Sequence, residues 1–389
     1  MKLANRMERL GTESAFEVLA RARALERTGR KVVHLELGEP DFDTPAHIRA
    51  AAAKALEEGH THYVPAPGIP ELRSTVADFL ERTGRLRTTP EQVVVTPGAK
   101  MIMFLAIMAL CEEGDEVIYP NPGFPMYESL TAFAGATPVP IPLRERNRFT
   151  VDPDELASLV TDRTKLLIVN SPHNPCGSSL SAEQVDAIAE IAIKNDLLVL
   201  NDEVYWALDY AADRRSLLDI DGMVERTILL DGWSKTFAMT GWRLGYGVFP
   251  QALVEPVTRL LINTASCTSA FSQHAAIAAL TGPWDEVDKM KAAFLRRRDV
   301  IVSGLNDLPG VSCVEPGGAF YAFPNISELG MPAAELSTML LEQAGVACLP
   351  GTAFGAHGEG HLRLSYANSI EDIQAAIDAF RTLLSEVAR

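Results

Sequence analysis

The chain has 389 residues, 47% of them hydrophobic and 22% charged, with a formal net charge of −16. That is enough apolar material for a large core divided into more than one domain, and the acid excess argues against nucleic-acid binding as the main task. The five cysteines are widely spaced with no CxxC pair, which suits small reduced apolar residues rather than a disulfide framework or a structural zinc.

Met1 to Phe16 carries charges throughout and lacks an apolar stretch, so no signal peptide is expected. Ala15, Val18, Leu19, Ala22 and Leu25 recur at helical spacing, which predicts a helix over 14–29 stopped at Gly29. Lys31 to Leu37 alternates like a strand and ends in Gly38-Glu39-Pro40-Asp41; Pro45 then opens an Ala-rich helix closed by Gly59. His60 and His62 have no acidic or cysteine ligands nearby and read as surface residues, not metal ligands.

From about 70 to 280, short apolar strands alternate with helices. The expected strands are Gln92–Thr96, Glu116–Tyr119, Thr137–Ile141, Lys165–Asn170, Leu197–Asn201, Thr227–Leu230 and Leu244–Val248. Runs such as Leu166-Leu167-Ile168-Val169 suit parallel strands covered on both faces by helices. Helices are expected at Lys100–Cys111 and Ala182–Lys194. The apolar run Met101–Cys111 is too short for a bilayer, which needs about 20 residues. A soluble cytoplasmic protein is therefore expected.

The last hundred residues change rhythm. A charged helix over about 285–306 leads to short strands near Val311–Val314, Ala319–Phe323 and Leu362–Ser365, with helices near Ala333–Ala344 and Ile370–Val387. The expected fold is α/β: a large domain (46–284) with a mostly parallel sheet sandwiched by helices, and a smaller α+β domain (285–389). The N-terminal segment (1–45) should pack with the smaller domain.

Six places carry residues that chemistry would need. Lys235 follows the apolar strand Ile228-Leu229-Leu230 and opens the stretch Lys235-Thr236-Phe237-Ala238-Met239-Thr240-Gly241-Trp242-Arg243. A lysine desolvated at a strand end has a lowered pKa and attacks aldehydes, although the same residues also suit a surface loop. Asp202 directly follows the expected strand Leu197–Asn201 and precedes Glu203-Val204-Tyr205, where a carboxylate can keep a pyridine ring nitrogen protonated or simply cap a helix. Asn174 lies in the rigid turn Asn170-Ser171-Pro172-His173-Asn174-Pro175-Cys176-Gly177 and can present its amide to a ligand. Gly98-Ala99-Lys100, between a strand and an apolar helix, suits an anion at a helix N-terminus. Phe124, among prolines in Tyr119–Tyr127, can stack on a flat ring or fill the core. Arg363 sits in an apolar strand, where its fork must meet a carboxylate or an internal acid.

In this order, these residues resemble the class I/II pyridoxal-phosphate (PLP) aminotransferases of fold type I, in particular the prokaryotic aspartate aminotransferase-like branch. The resemblance spans nearly the whole chain, from Gly38-Glu39-Pro40-Asp41 through Tyr63, Gly68 and Leu72-Arg73 to Pro316–Tyr321 and Arg363. Ser234–Tyr246 is the most specific stretch. The resemblance implies that Lys235 carries PLP as a Schiff base and shuttles the proton, and that Asp202 faces the pyridinium. Tyr205 and Asn174 would bond the phenolic oxygen, and Phe124 would stack on the ring. Gly98, Ala99, Lys100, Ser234 and Arg243 would cradle the phosphate. Tyr63 would reach the neighbouring subunit's phosphate in a homodimer with shared sites. Arg363 and Gly38 would hold the substrate α-carboxylate.

Some positions depart from the family pattern. Gly232 stands where some members have a phosphate-binding serine, and the second arginine that holds a dicarboxylate side chain has no counterpart. Lys100 is the candidate cation for that role, and Phe16 would make the pocket more apolar. The implied reaction is ping-pong exchange between an amino acid and a 2-oxo acid such as 2-oxoglutarate. Aspartate is the first donor considered, followed by alanine, branched-chain and aromatic amino acids. A C–S lyase, a synthase or an amino-acid oxidase on the same fold remains an alternative, as does a non-enzymatic PLP-binding regulator.

Overall fold

The computed structural model describes residues 2–211 and 215–387. Its strands in chain order are β1 (Val33–His34), β2 (Val93–Thr96), β3 (Glu116–Asn121), β4 (Thr137–Pro142), β5 (Thr164–Asn170), β6 (Leu198–Asp202), β7 (Thr227–Gly232), β8 (Gly245–Val248), β9 (Tyr321–Ala322), β10 (Val346–Ala347), β11 (Leu349–Pro350) and β12 (Leu362–Ser365). β2 to β8 form one seven-stranded sheet in the order β2-β8-β7-β6-β5-β3-β4. The run from β4 through β3, β5 and β6 to β7 is parallel. β8 lies antiparallel between β7 and β2.

The sheet is mostly parallel because its inner strands are apolar on both faces. Leu166, Ile168, Leu200, Ile228 and Leu230 face the helices Lys100–Leu110, Met126–Ala134 and Gln251–Ala265. Leu167, Val169 and Val199 face the helix Ala182–Lys194 on the other side. The helices Pro70–Arg82 and Ala270–Thr281 extend that side, packed with Val93, Val95 and Leu229.

The remaining strands form two small sheets: β11-β12-β9, all antiparallel, and the parallel pair β1-β10. The helices Asp285–Asn306, Ala333–Glu342 and Ile370–Val387 pack around them. The sequence pattern placed the bounds of Ala182–Lys194, Leu362–Ser365 and Ile370–Val387 where the structure has them.

Three expected strands differ. Lys31–Leu37 contracts to β1, because its ladder with β10 covers only Val33 and His34, and the Leu35 carbonyl already accepts from the Ser365 N–H of β12 instead. Val311–Val314 is reduced to a single bridge between Ser312 and Asn325. The Asn306 side chain binds both the N–H and the carbonyl of Cys313, replacing a ladder with a local cap. Ala319–Phe323 narrows to β9, since Ala319 takes a φ of 56°, outside the strand region.

Candidate active site

Three neighbouring parallel strands end together: β5 at Asn170, β6 at Asp202 and β7 at Gly232. Carboxyl ends of parallel strands are where such sheets bind ligands. β7 runs into the short helix Trp233–Thr236, which carries Lys235 just beyond the sheet. The half-buried Lys235 donates from Nζ to the Gly38 carbonyl at 2.5 Å. Burial lowers its pKa to about 8; Arg363 and Arg243 push the same way, while Glu39 and Glu13 oppose it. Such a lysine keeps a substantial neutral fraction near neutral pH.

Asp202 is buried and accepts from the Tyr127 hydroxyl at 2.8 Å and from the Val204 N–H at 3.2 Å. Burial lifts its pKa to about 6, against the hydrogen bonds from Tyr127 and Val204. The capping alternative does not describe it, because Asp202 is the last residue of β6 and precedes no capped helix. Tyr205, three residues on, shares a 2.6 Å hydrogen bond with the Tyr321 hydroxyl.

Asn174 lies in the turn after β5, which has cis peptide bonds before Pro172 and Pro175. Its N–H donates to Asn170 Oδ1 at 3.0 Å, while its own side-chain oxygen is buried without a partner. Asn170 in turn donates to the Asp202 carbonyl at 3.0 Å, tying this turn to β6. The neighbouring His173 is also buried, with both ring nitrogens unpartnered, and burial lowers its pKa to about 3. It is therefore a neutral packing residue across the physiological range.

Gly98 precedes the helix Lys100–Leu110 and takes a φ of 88°. The positive φ favours glycine, and a Cβ there would meet the tip of the Arg243 guanidinium, so the bare glycine lets that side chain lie against the turn. Ala99 is the N-cap and Lys100 the first helical residue, so free backbone N–H groups point out beside Arg243. Arg243 is exposed and anchored to the Thr240 carbonyl at 2.8 Å. Ser234 is buried next to Lys235. The Phe124 ring meets Tyr127 edge-on at 5.7 Å, and Lys100 Nζ lies 5.4 Å from its centroid.

Arg363 stands in β12, buried between the rings of Tyr321 and Phe354 at 4.7 and 5.0 Å. It donates to the Glu36 carbonyl, while its Nε–H is buried without a partner. Lys235 and Arg363 thus hang on carbonyls two residues apart, Gly38 and Glu36. Gly38 is itself confined, since a Cβ there would collide with the Tyr321 hydroxyl.

The fold therefore gathers Gly38, Gly98, Ala99, Lys100, Phe124, Asn174, Asp202, Tyr205, Ser234, Lys235, Arg243 and Arg363 around one end of the sheet. Two expected residues stand apart in the single chain: Tyr63 is 89% exposed, and Phe16 is 62% exposed on the helix Ser14–Glu26. Sequence reading assigned no role to Tyr127 or Tyr321, although both lie in stretches it singled out.

It also missed Arg85, which is buried and bonded to Asp231 at 2.6 Å and Glu203 at 2.5 Å, with its guanidinium 4.3 Å from the Trp206 ring. Tyr246 and Asn201 complete this network. Burial disfavours the charge on Arg85, but Asp231 and Glu203 outweigh it and raise its pKa. The network clamps the residue after Asp202 to the end of β7. No local pattern announces it, because its partners lie more than a hundred residues from Arg85.

Comparison with known proteins gives one consistent result. The family model described as "Aminotransferase class I and II" matches residues 30–380. The chain is 41% identical over 361 residues to an aspartate aminotransferase of Pyrococcus abyssi, covering 92% of each chain. It is 38% identical over 390 residues to aromatic-amino-acid aminotransferase 2 of Thermococcus litoralis, covering 99% of each. The solved aspartate aminotransferase of Thermus thermophilus with maleate superimposes with a TM-score of 0.94 at 36% identity, over 98% of this chain and 100% of that one.

Proposed function

Because the chain belongs to the class I and II aminotransferases, enzymes that transfer amino groups with pyridoxal phosphate, we propose that Lys235 carries the cofactor and that the enzyme exchanges the amino group of a small amino acid with a 2-oxo acid. The observation that carries this reading is the placement of a desolvated lysine and a buried, incompletely satisfied arginine on the Gly38 and Glu36 carbonyls. An α-amino acid carries its carboxylate and its reacting proton on the same carbon, Cα. Arg363 can take the first while Lys235 reaches the second.

The residues present suit the cofactor. Its phosphate would fit the N–H groups of Ala99 and Lys100 with Arg243 and Ser234, at the turn that Gly98 makes with its own N–H bonded to the Thr96 carbonyl. Asp202 would face the ring nitrogen, and the Tyr205 hydroxyl and the Asn174 side-chain N–H would donate to the phenolic oxygen. Phe124 stacks on the ring. When bound, the cofactor supplies an electron sink for the electrons left on Cα.

The chain's own groups do the rest. Asp202 would hold its negative charge toward the ring nitrogen, and Tyr127, by donating to it, helps keep it ionised. Lys235 Nζ takes the proton from Cα and later returns it, a role suited to a pKa near the working pH. Arg363 fixes the carboxylate by a planar fork, so the Cα–H bond is aimed rather than free to rotate.

The donor read first is aspartate, with alanine, branched-chain and aromatic donors next and 2-oxoglutarate as acceptor. Lys100 is the cation assigned to a distal carboxylate, and Phe16 is the residue assigned to make the pocket more apolar. Tyr63, an aromatic 89% exposed in the single chain, supports a homodimer in which it reaches the partner's phosphate. Residues 46–284 form the large domain and 285–389 the small one, with 1–45 attached to the latter; the β1-β10 pairing supports this division. Among the described residues no helix is long and apolar enough to cross a membrane, which together with free cysteines supports a cytoplasmic location.

The test is a spectral titration of the cofactor-loaded protein with single amino acids and no oxo acid. A stoichiometric loss of the yellow band, restored by an oxo acid, is expected and names the best donor. Continuous ammonia release from a donor alone would instead point to a lyase or oxidase.

A further inference from the structure

Glu13 has no part in the roles assigned above. It is the N-cap of the helix Ser14–Glu26, yet its side chain caps nothing. It reaches instead to Lys100 and pairs with that ammonium. Its side chain is only 21% exposed. The same carboxylate lies close enough to Lys235, Arg363 and Tyr321 to act on all three electrostatically. Lys100 also stands beside the face of Phe124. A carboxylate of the protein itself therefore occupies the cation assigned above to a substrate's second carboxylate.

We propose that Glu13 is a specificity-determining residue that neutralises Lys100 when the substrate side chain is apolar or aromatic and is displaced when that side chain ends in a carboxylate. This rests on the reading of Lys100 as the distal-carboxylate cation. The physical argument has two halves. An apolar side chain set against an unpaired ammonium would strip water from a charge with no compensation; Glu13 supplies that compensation from within the chain. A dicarboxylate exchanges one ion pair for another, so it gains only the difference between the two. The pocket thereby accepts both classes and favours neither by the full strength of a bare cation.

The release can be local. Gly11, two residues earlier, is anchored by its N–H to Ser129 Oγ at 2.9 Å, so the Glu13 side chain can swing out while the segment stays docked.

The cofactor-loaded enzyme is titrated by calorimetry with maleate, a dicarboxylate with no amino group, and with 3-phenylpropionate, a monocarboxylate. Wild type, Glu13→Gln and Lys100→Gln are compared. Glu13→Gln keeps the shape and removes the charge. It is expected to tighten maleate by roughly three- to tenfold and to weaken 3-phenylpropionate by roughly twofold or more, because Lys100 then loses its compensating charge. Unchanged or weaker maleate binding, or equal tightening of both ligands, overturns the proposal. If Lys100→Gln leaves maleate binding intact, the reading of Lys100 fails and takes this inference with it. If Lys100→Gln weakens maleate but Glu13→Gln does not tighten it, only the role of Glu13 fails.

Discussion

The Tyr127 hydroxyl donates to Asp202 Oδ2 at 2.8 Å, with both side chains buried. Burial alone drives Asp202 toward its neutral form, and this donor pulls it back. A hydrogen bond to a charged group contributes about 1.5–3 kcal/mol, and one pKa unit corresponds to about 1.4 kcal/mol. Asp202 must be ionised to face a protonated ring nitrogen, so cofactor affinity should fall as pH drops through its pKa. Without the Tyr127 donor, protonation comes earlier on that descent. Tyr127→Phe is therefore expected to move the acid limb of cofactor binding upward by about one pH unit. Absorbance titrations between about pH 5 and 8 check this, and coincident limbs would refute it.

Lys235→Ala is expected to abolish transamination and the band of the lysine-bound cofactor; substantial residual turnover would remove Lys235 from its role. The wild-type lysine carries a pH signature of its own. Only the neutral amine attacks an aldehyde, and burial lowers its pKa to about 8. Cofactor uptake by cofactor-free protein should accelerate as pH rises through about 8 and then level off. A stopped-flow rate still climbing toward the ordinary lysine value of about 10.4 would show that burial is not tuning this group.

Asp202→Ala should cost nearly as much as loss of Lys235, at least about a hundredfold in kcat, because it removes the charge that stabilises the electron-rich ring. Steady-state rates with a saturating donor read this directly. Normal rates would mean that another group faces the ring nitrogen.

Arg85→Met leaves Asp231 and Glu203 buried without their shared cation. Removing one partner of a buried ion pair costs about 3–5 kcal/mol. Urea unfolding of the cofactor-free protein should show a loss of that size. A change below about 1 kcal/mol would mean that water reaches these carboxylates after the substitution.

Much of the molecule was legible locally. Continuous apolar runs such as Leu166–Val169 identified the inner strands, because a parallel strand covered on both faces has no polar side to show. The order of Gly98, Asn174, Asp202, Lys235 and Arg363 along the chain pointed to one kind of site through the resemblance to a known family, since each of these residues alone also suited an ordinary structural role. The expected strand at Val311–Val314 failed because a single side chain, Asn306, satisfied the backbone in place of a neighbouring strand.

Only the tertiary structure decided which groups meet. Arg363 donates to the Glu36 carbonyl across 327 residues of sequence, and Lys235 to Gly38 across 197. Glu13 reaches Lys100, and Arg85 reaches Glu203 and Asp231. Burial and turn formation depend on a residue and its near neighbours, so they leave a periodic trace in the sequence. The convergence of charges depends on how distant segments pack, and no local pattern records it.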